Sequence, residues 1–485
     1  MRIYFTDWFQ VDSGLLEEYG AFNISLINDL PLFIDPFLLF ASEKQEYRDQ
    51  HDKMIAYLKF LRDQAVSEHV DDGLLRAWYM FPEVKQLWLG YSLRGNQGSG
   101  LGWDFARALH RNLHVVFTDF GNEKVTAGSH LEKVCLVQEG VGRDNISDFT
   151  ANLIKEYLLR YTERFAQAHI RQDLRKRVRV PNVIFNYDLR VWTPREFDLP
   201  FISGDYVILT PKDLLTKDEN WINRSDMVED VERIVRAVPD EQLRAQINQY
   251  LLRVLKPDAT ERQRRRVHAE LYRMHPQLIE WYIRSKENRR DEAVRASDRK
   301  VMESERVYVR QIRELVEQLQ RETAFYERGV DTLQEAKARV QFLKQEVENN
   351  GAYRLFYDQG KPIQRESDLH ILYRLTWFAS PSDLSSEVND GRGPVDFKVS
   401  RGSKDKALVE FKLAKSSKLK QGLAKQVPIY EKASRTSKSL KVIFFFTAEE
   451  KKHVDDILAE LKLTDDDSIV LVDARDDNKP SASKA

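Results

Sequence analysis

The chain has 485 residues, of which 42% are hydrophobic and 32% are charged, and its formal net charge is -1. This composition is typical of a folded, soluble protein with about two to four domains, and it excludes a disordered chain. The near-zero net charge excludes a global field that would attract nucleic acid, so any such affinity must come from local patches.

A single cysteine and the absence of a long apolar run predict the compartment. Cys135 is the only cysteine, which excludes an intramolecular disulfide and a cysteine-based zinc site. The most apolar early run, residues 30–40, is short and is interrupted by Asp35 and Pro36, so we do not expect it to span a bilayer. Charged residues also interrupt the N-terminal positions, which argues against a secretory signal. We therefore expect a cytoplasmic protein without a membrane partner.

Residues 1–255 predict a mixed α/β domain. Extended segments are expected at 2–5, 115–119, 180–187 and 206–210. Helical periods cover 53–64 and 148–168, and Ser147 with Asp148 lies where the second helix needs a cap. We assign sensing or substrate selection to this domain as a hypothesis.

Three polar segments of this domain each allow two interpretations. The glycine-rich residues 94–103 could hold a phosphate, but they lack a P-loop ending, and a flexible turn is favoured. Residues 140–148 could form a polar site, but a turn followed by a helix cap explains the same residues and is favoured. A basic run could contact phosphates or form a solvated face. It comprises Arg171, Arg175, Lys176, Arg177 and Arg179.

Residues 256–350 predict a helical, coiled-coil arm. Charged residues dominate, and two apolar runs have the three-four spacing of a coiled-coil seam. The first run is Val309, Ile312, Val316 and Leu319, and the second is Leu333, Ala336, Val340, Leu343 and Val347. The two runs could continue as a kinked rod or fold back on each other within one chain. We expect the arm to mediate a homo-oligomer, with the intrachain hairpin as the alternative.

Residues 351–475 predict an α/β domain, followed by a frayed tail at 476–485. A helix is expected at 366–378 and extended runs at 394–399 and 408–413. In the last run Val409, Phe411 and Leu413 alternate with Glu410 and Lys412, so the apolar set points inward and the charged pair faces a wet edge. If the two runs form a hairpin, Asp396 comes beside Glu410 and Lys412.

This order of elements resembles the core of the PD-(D/E)XK nucleases, the restriction-endonuclease-like superfamily. The resemblance rests on a helix with Glu366, a strand with Asp396, a strand with Glu410-Phe411-Lys412, then a helix and a strand, over about the last quarter of the chain. It implies a mixed sheet flanked by helices. The whole chain is thus expected to be α/β, with an N-terminal mixed domain, a helical arm and this C-terminal domain.

The resemblance also implies the chemistry of the site. Asp396, Glu410 and Glu366 would hold Mg²⁺, with Mn²⁺ as an alternative, and Lys412 would orient the attacking water. Gln426 and Tyr430 match a Gln-x-x-x-Tyr motif of some relatives, although Pro428 between them would kink a helix. Lys415, Lys418 and Lys420 are expected to contact the substrate backbone.

The function implied is a metal-dependent endonuclease that acts on nucleic acid, with DNA preferred, in bacterial restriction or phage defence. The alternative is a catalytically silent protein that keeps the nuclease fold for nucleic-acid binding or as a scaffold. The complete set Asp396, Glu410 and Lys412 favours the enzyme, because silent relatives typically lose one of the three.

Overall fold

The structure is a computed structural model. It describes residues 3–67, 69–90, 101–116, 123–137, 141–255, 259–314, 331–358, 360–363, 366–377, 382–389, 394–401, 405–426, 436 and 438–479. Within these residues the chain is mixed α/β, as the sequence predicts.

The N-terminal part is mostly helical. Its helices are α1 (Phe5–Phe9), α2 (Ser13–Tyr19), α3 (Pro36–Ala41), α4 (Gln45–Ser67), α5 (Asp72–Tyr79), α6 (Trp103–Val116), α7 (Lys133–Val137), α8 (Arg143–Leu153) and α9 (Lys155–His169). The helix predicted at 148–168 is therefore two helices, which meet at Ile154. The cap predicted at Ser147 and Asp148 is wrong, because α8 begins one turn earlier, where Asn145 Oδ1 accepts from the Gly142 N–H at 3.2 Å.

The described residues of this part form two sheets, and a long hairpin makes up most of the larger one. The strands are β1 (Phe33–Ile34), β2 (Arg175–Asn186), β3 (Val191–Ile202), β4 (Asp205–Tyr206) and β5 (Leu215–Thr216). β2, β3 and β4 pair in order and are antiparallel, and β1 pairs with β5. The extended prediction at 180–187 is confirmed by β2. At 206–210 only the first residue belongs to a strand. Of the segment predicted at 2–5, the described residues 3–5 lead into α1, and the segment predicted at 115–119 begins with the end of α6 before it passes outside the described residues.

The segment predicted as an arm packs against the N-terminal part. Three helices of the predicted N-terminal domain precede it: α10 (Arg224–Glu229), α11 (Val231–Ala237) and α12 (Glu241–Val254). The arm segment itself begins with α13 (Glu261–Met274), α14 (Gln277–Glu287) and α15 (Arg290–Glu305), which continues as a π-helical turn to Gln311. Tyr282 is fully buried in one core with Phe37 and Leu58. Val309 and Ile312 are buried in another, and Arg313 pairs with Asp7 at 2.8 Å. The arm prediction is thus corrected: these apolar faces are covered within the chain.

The second seam run belongs to the C-terminal unit. Its helix, α16 (Thr332–Glu348), lies across the C-terminal sheet, and its inward side chains have 0% exposure. They are Ala336, Val340, Leu343 and Val347. An apolar stripe of this spacing can pack against a sheet as well as against a partner helix. The spacing alone therefore predicts a coiled coil even where a sheet covers the stripe. Val316 and Leu319 lie outside the described residues.

The C-terminal sheet is mixed and five-stranded. Its strands are β8 (Asp383–Asn389), β9 (Pro394–Arg401), β10 (Asp405–Leu413), β11 (Ser439–Phe445) and β12 (Ile469–Asp473), in the order β12-β11-β10-β9-β8. β8, β9 and β10 are antiparallel, whereas β10, β11 and β12 are parallel. A two-stranded ribbon, β6 (Tyr357–Asp358) and β7 (Lys361–Pro362), precedes the sheet. The remaining helices are α17 (Ser367–Leu375), α18 (Leu419–Gln421, continued by a π-helical turn to Gln426) and α19 (Ala448–Glu460).

Apolar side chains bury both faces of this sheet. Val409, Phe411 and Leu413 share a core with α16, as the alternation predicts, and Ile443 with Phe445 packs under α19 on the other face. The start of the predicted tail is tied down, because the Lys479 ammonium donates to the Asp473 carbonyl at 3.0 Å. No helix of the described residues is long and apolar enough to cross a membrane, in agreement with the sequence.

Candidate active site

The β9–β10 hairpin brings Asp396 and Glu410 together. Val409 lies opposite Phe397 in the register, so the next pair along the strands faces the other side of the sheet. The Phe411 N–H donates to Asp396 Oδ2 at 2.6 Å, and the Asp396 N–H points at Glu410 Oε2 at 3.5 Å. The predicted convergence of the two carboxylates is confirmed.

Lys412 lies beside the two carboxylates, but these side chains are less exposed to solvent than the sequence predicts. The Lys412 ammonium lies 3.0 Å from Glu410 Oε1, and their side chains are 18% and 7% exposed. The prediction that Glu410 stands at a solvent-facing edge is therefore wrong. A buried carboxylate needs a counter-charge, and in this structure Lys412 supplies it.

The start of α17 supplies a third carboxylate. Glu366 is the residue that precedes the helix, and its Oε1 accepts from the Leu413 N–H at 3.2 Å. This hydrogen bond holds the N-terminus of α17 at the end of β10. Glu366 therefore lies where the sequence predicts it, next to the strand that carries Glu410 and Lys412.

His370 is a member of the site that the sequence analysis did not identify. Its Nε2 lies 3.6 Å from Asp396 Oδ2, and its ring packs on Phe397 and Phe411. Ligand atoms of Glu366, His370 and Asp396 all lie within 4.8 Å of one another, close enough to share a metal ion. The available signal was the spacing of four between Glu366 and His370, which places both on one face of a helix.

Burial and charge perturb the titration of these groups. Burial raises the pKa of Glu410 to about 7, and the Asp396 charge adds to that effect. Burial also raises the pKa of Glu366, against the opposing charge of Lys412. For Asp396 burial acts in the same direction, but the contacts with His370 and Lys412 outweigh it and hold its pKa below the usual value. Although burial opposes it, the surrounding carboxylates raise the pKa of Lys412.

These shifts describe a site with an excess of negative charge in a buried place. Three carboxylates face one ammonium and one imidazole, so a divalent cation would find hard oxygen ligands and little competition from water. The group whose ligand atoms converge contains Glu366, Asp396 and His370, whereas the Glu410 carboxylate of the predicted set faces Lys412. Carboxylate oxygens suit Mg²⁺, and the imidazole is a ligand that suits Mn²⁺.

The predicted substrate-contacting residues are only partly in place. The Lys415 ammonium donates to the Ile363 carbonyl, and Lys420 pairs with Glu460. Lys418 makes no ion pair within the described part of the chain. Gln426 ends the π-helical turn, but its side chain and the whole of Tyr430 lie outside what the structure describes.

The three polar segments of the N-terminal part have different outcomes. Most of the glycine-rich loop, residues 91–100, lies outside the described residues. The basic run is largely neutralised: Arg175 pairs with Asp198 at 2.6 Å and Arg177 with Glu196 at 2.9 Å. This favours the interpretation as a solvated face over phosphate contact. Residues 143–148 form the first turns of α8.

Comparisons with known proteins identify two families without assigning a function. Residues 10–223 match a domain of unknown function, DUF8370, and residues 332–448 match a second one, DUF8371. The second match begins at the first residue of α16, which agrees with the packing of that helix on the C-terminal sheet. No curated protein and no solved structure matches the chain.

Proposed function

We propose that the C-terminal unit is a metal-dependent phosphodiesterase, most specifically a DNA endonuclease with a restriction-endonuclease-like fold. The observation that carries the proposal is the hairpin, which places Asp396 beside Glu410 and Lys412 while α17 brings Glu366 to the same point. The mixed sheet with α16 on one face is compatible with that fold.

The metal would be held by Asp396 and Glu366, whose ligand atoms lie within 4.8 Å of each other and of His370. Glu410, which lies beside Asp396, is the further ligand that the family resemblance implies. When bound, Mg²⁺ or Mn²⁺ would lower the pKa of a water and neutralise charge on the phosphate. Lys412 would orient the attacking water by a hydrogen bond. The Phe411 N–H fixes the orientation of the Asp396 carboxylate throughout.

A role in bacterial restriction or phage defence belongs to the proposal through the family resemblance alone. Two active sites would be needed for a double-strand break in one encounter, so a homo-oligomer also remains part of it. Since Val309 and Ile312 are buried in the chain's own core, a contact through them is disfavoured. Mass measurement of the full chain in solution tests the oligomer directly.

The experiment offers supercoiled plasmid, linear DNA and RNA to the full chain, with Mg²⁺, with Mn²⁺ or with EDTA. We expect metal-dependent cleavage of DNA, and a loss of at least about 100-fold in rate in Asp396→Asn and in Lys412→Met. Lys438→Met is the matched control, because Lys438 bridges Asp331 and Asp405 away from the site.

Cleavage that is undiminished in Asp396→Asn would remove the proposed site. Binding of DNA without cleavage under every metal condition would favour the silent nuclease fold that the sequence analysis keeps as the alternative. Preferential cleavage of RNA would support metal-dependent phosphodiester hydrolysis at this site, but it would show that the substrate is RNA and not DNA.

A further inference from the structure

A cavity of about 260 Å³ lies in the N-terminal part, and none of its lining residues belongs to the carboxylate site. It opens between the end of α5, helix α8 and the β2–β3 hairpin. Apolar side chains make up one wall and a few polar groups converge on the space, which is the usual make-up of a small-molecule site.

The apolar wall contains a rigid aromatic ring. Trp192 lines the cavity, and its Nε1 donates to the Tyr57 hydroxyl at 3.2 Å. The Phe185 ring meets the indole edge-on, with centroids 5.4 Å apart. Phe81, which is 3% exposed, lines the cavity as well. A fixed indole in a half-open cavity offers a flat surface on which a planar ring can stack.

Asn152 lines the cavity with a side-chain amide whose orientation is fixed. The residue is 4% exposed, and its Nδ2 donates to the carbonyls of Pro82 at 2.8 Å and Asp148 at 2.9 Å. Those two carbonyls fix the orientation of the amide, so that Oδ1 is the atom left over. Within the described part of the chain Oδ1 accepts no hydrogen bond. Such an acceptor can accept a hydrogen bond from a ligand that carries an N–H group.

A β-bulge carries a second amide to the same cavity. The register of β2 against β3 shifts between Val180 and Ile184, and Asn182 inside the bulge has a φ of 52°. Bulges re-aim side chains, and positive φ is uncommon outside glycine although asparagine tolerates it. Asn182 lines the cavity and offers both a donor and an acceptor.

An arginine stands at the mouth of the cavity. Arg76 is exposed, and its guanidinium lies 5.7 Å from the ring centroid of Trp103. In the described part of the chain it pairs with no carboxylate. A stacked guanidinium keeps its planar fork of donors available to an anion such as a phosphate.

From these features we infer that the cavity binds a nucleotide whose base carries an amino group, with adenine the best fit. The base would stack on Trp192, its amino group would donate to Asn152, and a ring nitrogen would accept from Asn182. Arg76 would bind the phosphate. The volume lies just below the range of roughly 300–1,000 Å³ of drug-sized ligands, so one mononucleotide unit suits it. This inference does not depend on the nuclease proposal.

The first test is titration calorimetry of the full chain with AMP, IMP and adenosine. AMP and IMP differ in the amino group that Asn152 would accept from, since IMP carries an oxygen there. We expect AMP to bind about tenfold more tightly than IMP, because the oxygen would face the Asn152 acceptor. Equal affinities for AMP and IMP, or no binding of AMP at millimolar concentration, would overturn the inference.

Two substitutions that spare the fold locate the binding. Arg76→Ala should weaken the binding of AMP about tenfold and leave the binding of adenosine unchanged. Its matched control is Arg107→Ala, because Arg107 stacks on the same Trp103 ring at 5.3 Å without lining the cavity. Asn182→Gly removes the side-chain amide and introduces a residue that adopts positive φ easily. This substitution should weaken the binding of both AMP and adenosine. An effect of Arg107→Ala equal to that of Arg76→Ala would refute the location.

Free nucleotide and single-stranded nucleic acid could each supply this chemistry. A short oligo(dA) and AMP distinguish the two sources when each is titrated alone and in competition. Tighter binding of AMP identifies a free nucleotide, and tighter binding of the oligonucleotide, with displacement by AMP, identifies a base of a strand. If the oligonucleotide binds and AMP does not compete with it, the oligonucleotide binds elsewhere on the protein. That result would exclude the cavity as the binding site of the oligonucleotide.

Discussion

Replacing Lys412 by methionine should make the stability of the protein depend on metal. The ammonium of Lys412 lies 3.0 Å from Glu410, and it also interacts electrostatically with Asp396 and Glu366. Methionine keeps most of the side-chain volume and removes the charge. Breaking a buried ion pair from one side costs about 3–5 kcal/mol, because a buried charge is left without compensation. The side chain of Lys412 is 18% exposed, so we expect the lower end, about 3 kcal/mol, without metal.

A divalent cation should recover most of this loss. An ion present at 100 times its Kd stabilises the folded state by about 2.7 kcal/mol, which is close to the cost of the substitution. The parent should gain less, because its ammonium already neutralises part of the site. Thermal unfolding in EDTA and in Mg²⁺ measures both effects. At roughly 2–4 °C per kcal/mol for a unit of this size, Lys412→Met should lose about 6–12 °C in EDTA and regain most of it with Mg²⁺.

Lys438→Met is the control for this prediction. Lys438 lies 2.9 Å from both Asp331 and Asp405, and it joins α16 to the hairpin at a more exposed place. Its loss should lower stability to the same extent in EDTA and in Mg²⁺. A Lys412→Met protein as stable as the parent in EDTA, or an equal Mg²⁺ effect in both variants, would refute the reasoning about the site.

Two further predictions concern the packing and the titration of the chain. Leu343→Ala should cost about 2–5 kcal/mol without changing the molecular mass in solution, because Leu343 is fully buried against the sheet. Leu252→Ala, at a residue 82% exposed, should cost less than about 0.5 kcal/mol. Burial, with the charges of Asp144 and Glu83, raises the pKa of Asp148 from 3.8 to about 8. The folded state therefore holds this proton more tightly, and stability falls as pH rises between those values, by at most about 1.4 kcal/mol per unit. Asp148→Asn should remove that slope in denaturant titrations at pH 5 and pH 7, and a parent without the slope would contradict the prediction.

The parts of the site that depend on local pattern could be predicted from the sequence. Alternation along β10 sets which side chains face the core, and a hairpin of adjacent strands brings Asp396 to Glu410 over a short loop. His370 and the burial of Glu410 depend instead on where the N-terminus of α17 docks. That docking is a non-local contact, so the sequence pattern of either element alone does not specify it.

The coiled-coil prediction failed for a different reason. The spacing of the apolar residues in α16 predicts one apolar face, and this prediction is confirmed. The residues are Ala336, Val340, Leu343 and Val347. Periodicity does not state whether a helix, a sheet or another chain covers that face. Only the partner decides, and in this structure the partner is the C-terminal sheet of the same chain.

The hypothesis that the N-terminal part regulates the proposed nuclease site requires contacts that connect the two, and the structure contains such contacts. The Lys300 ammonium donates to the Tyr357 carbonyl at 2.7 Å, and Lys361 pairs with Glu229 of α10. These contacts tie the ribbon of β6 and β7 to the helices that cover the N-terminal part. The ribbon leads along the chain into Glu366, whose carboxylate is bonded to the end of β10. A change in α10 or α15 that moves the ribbon would therefore reach the carboxylate group through Glu366, which accepts a hydrogen bond from the end of β10.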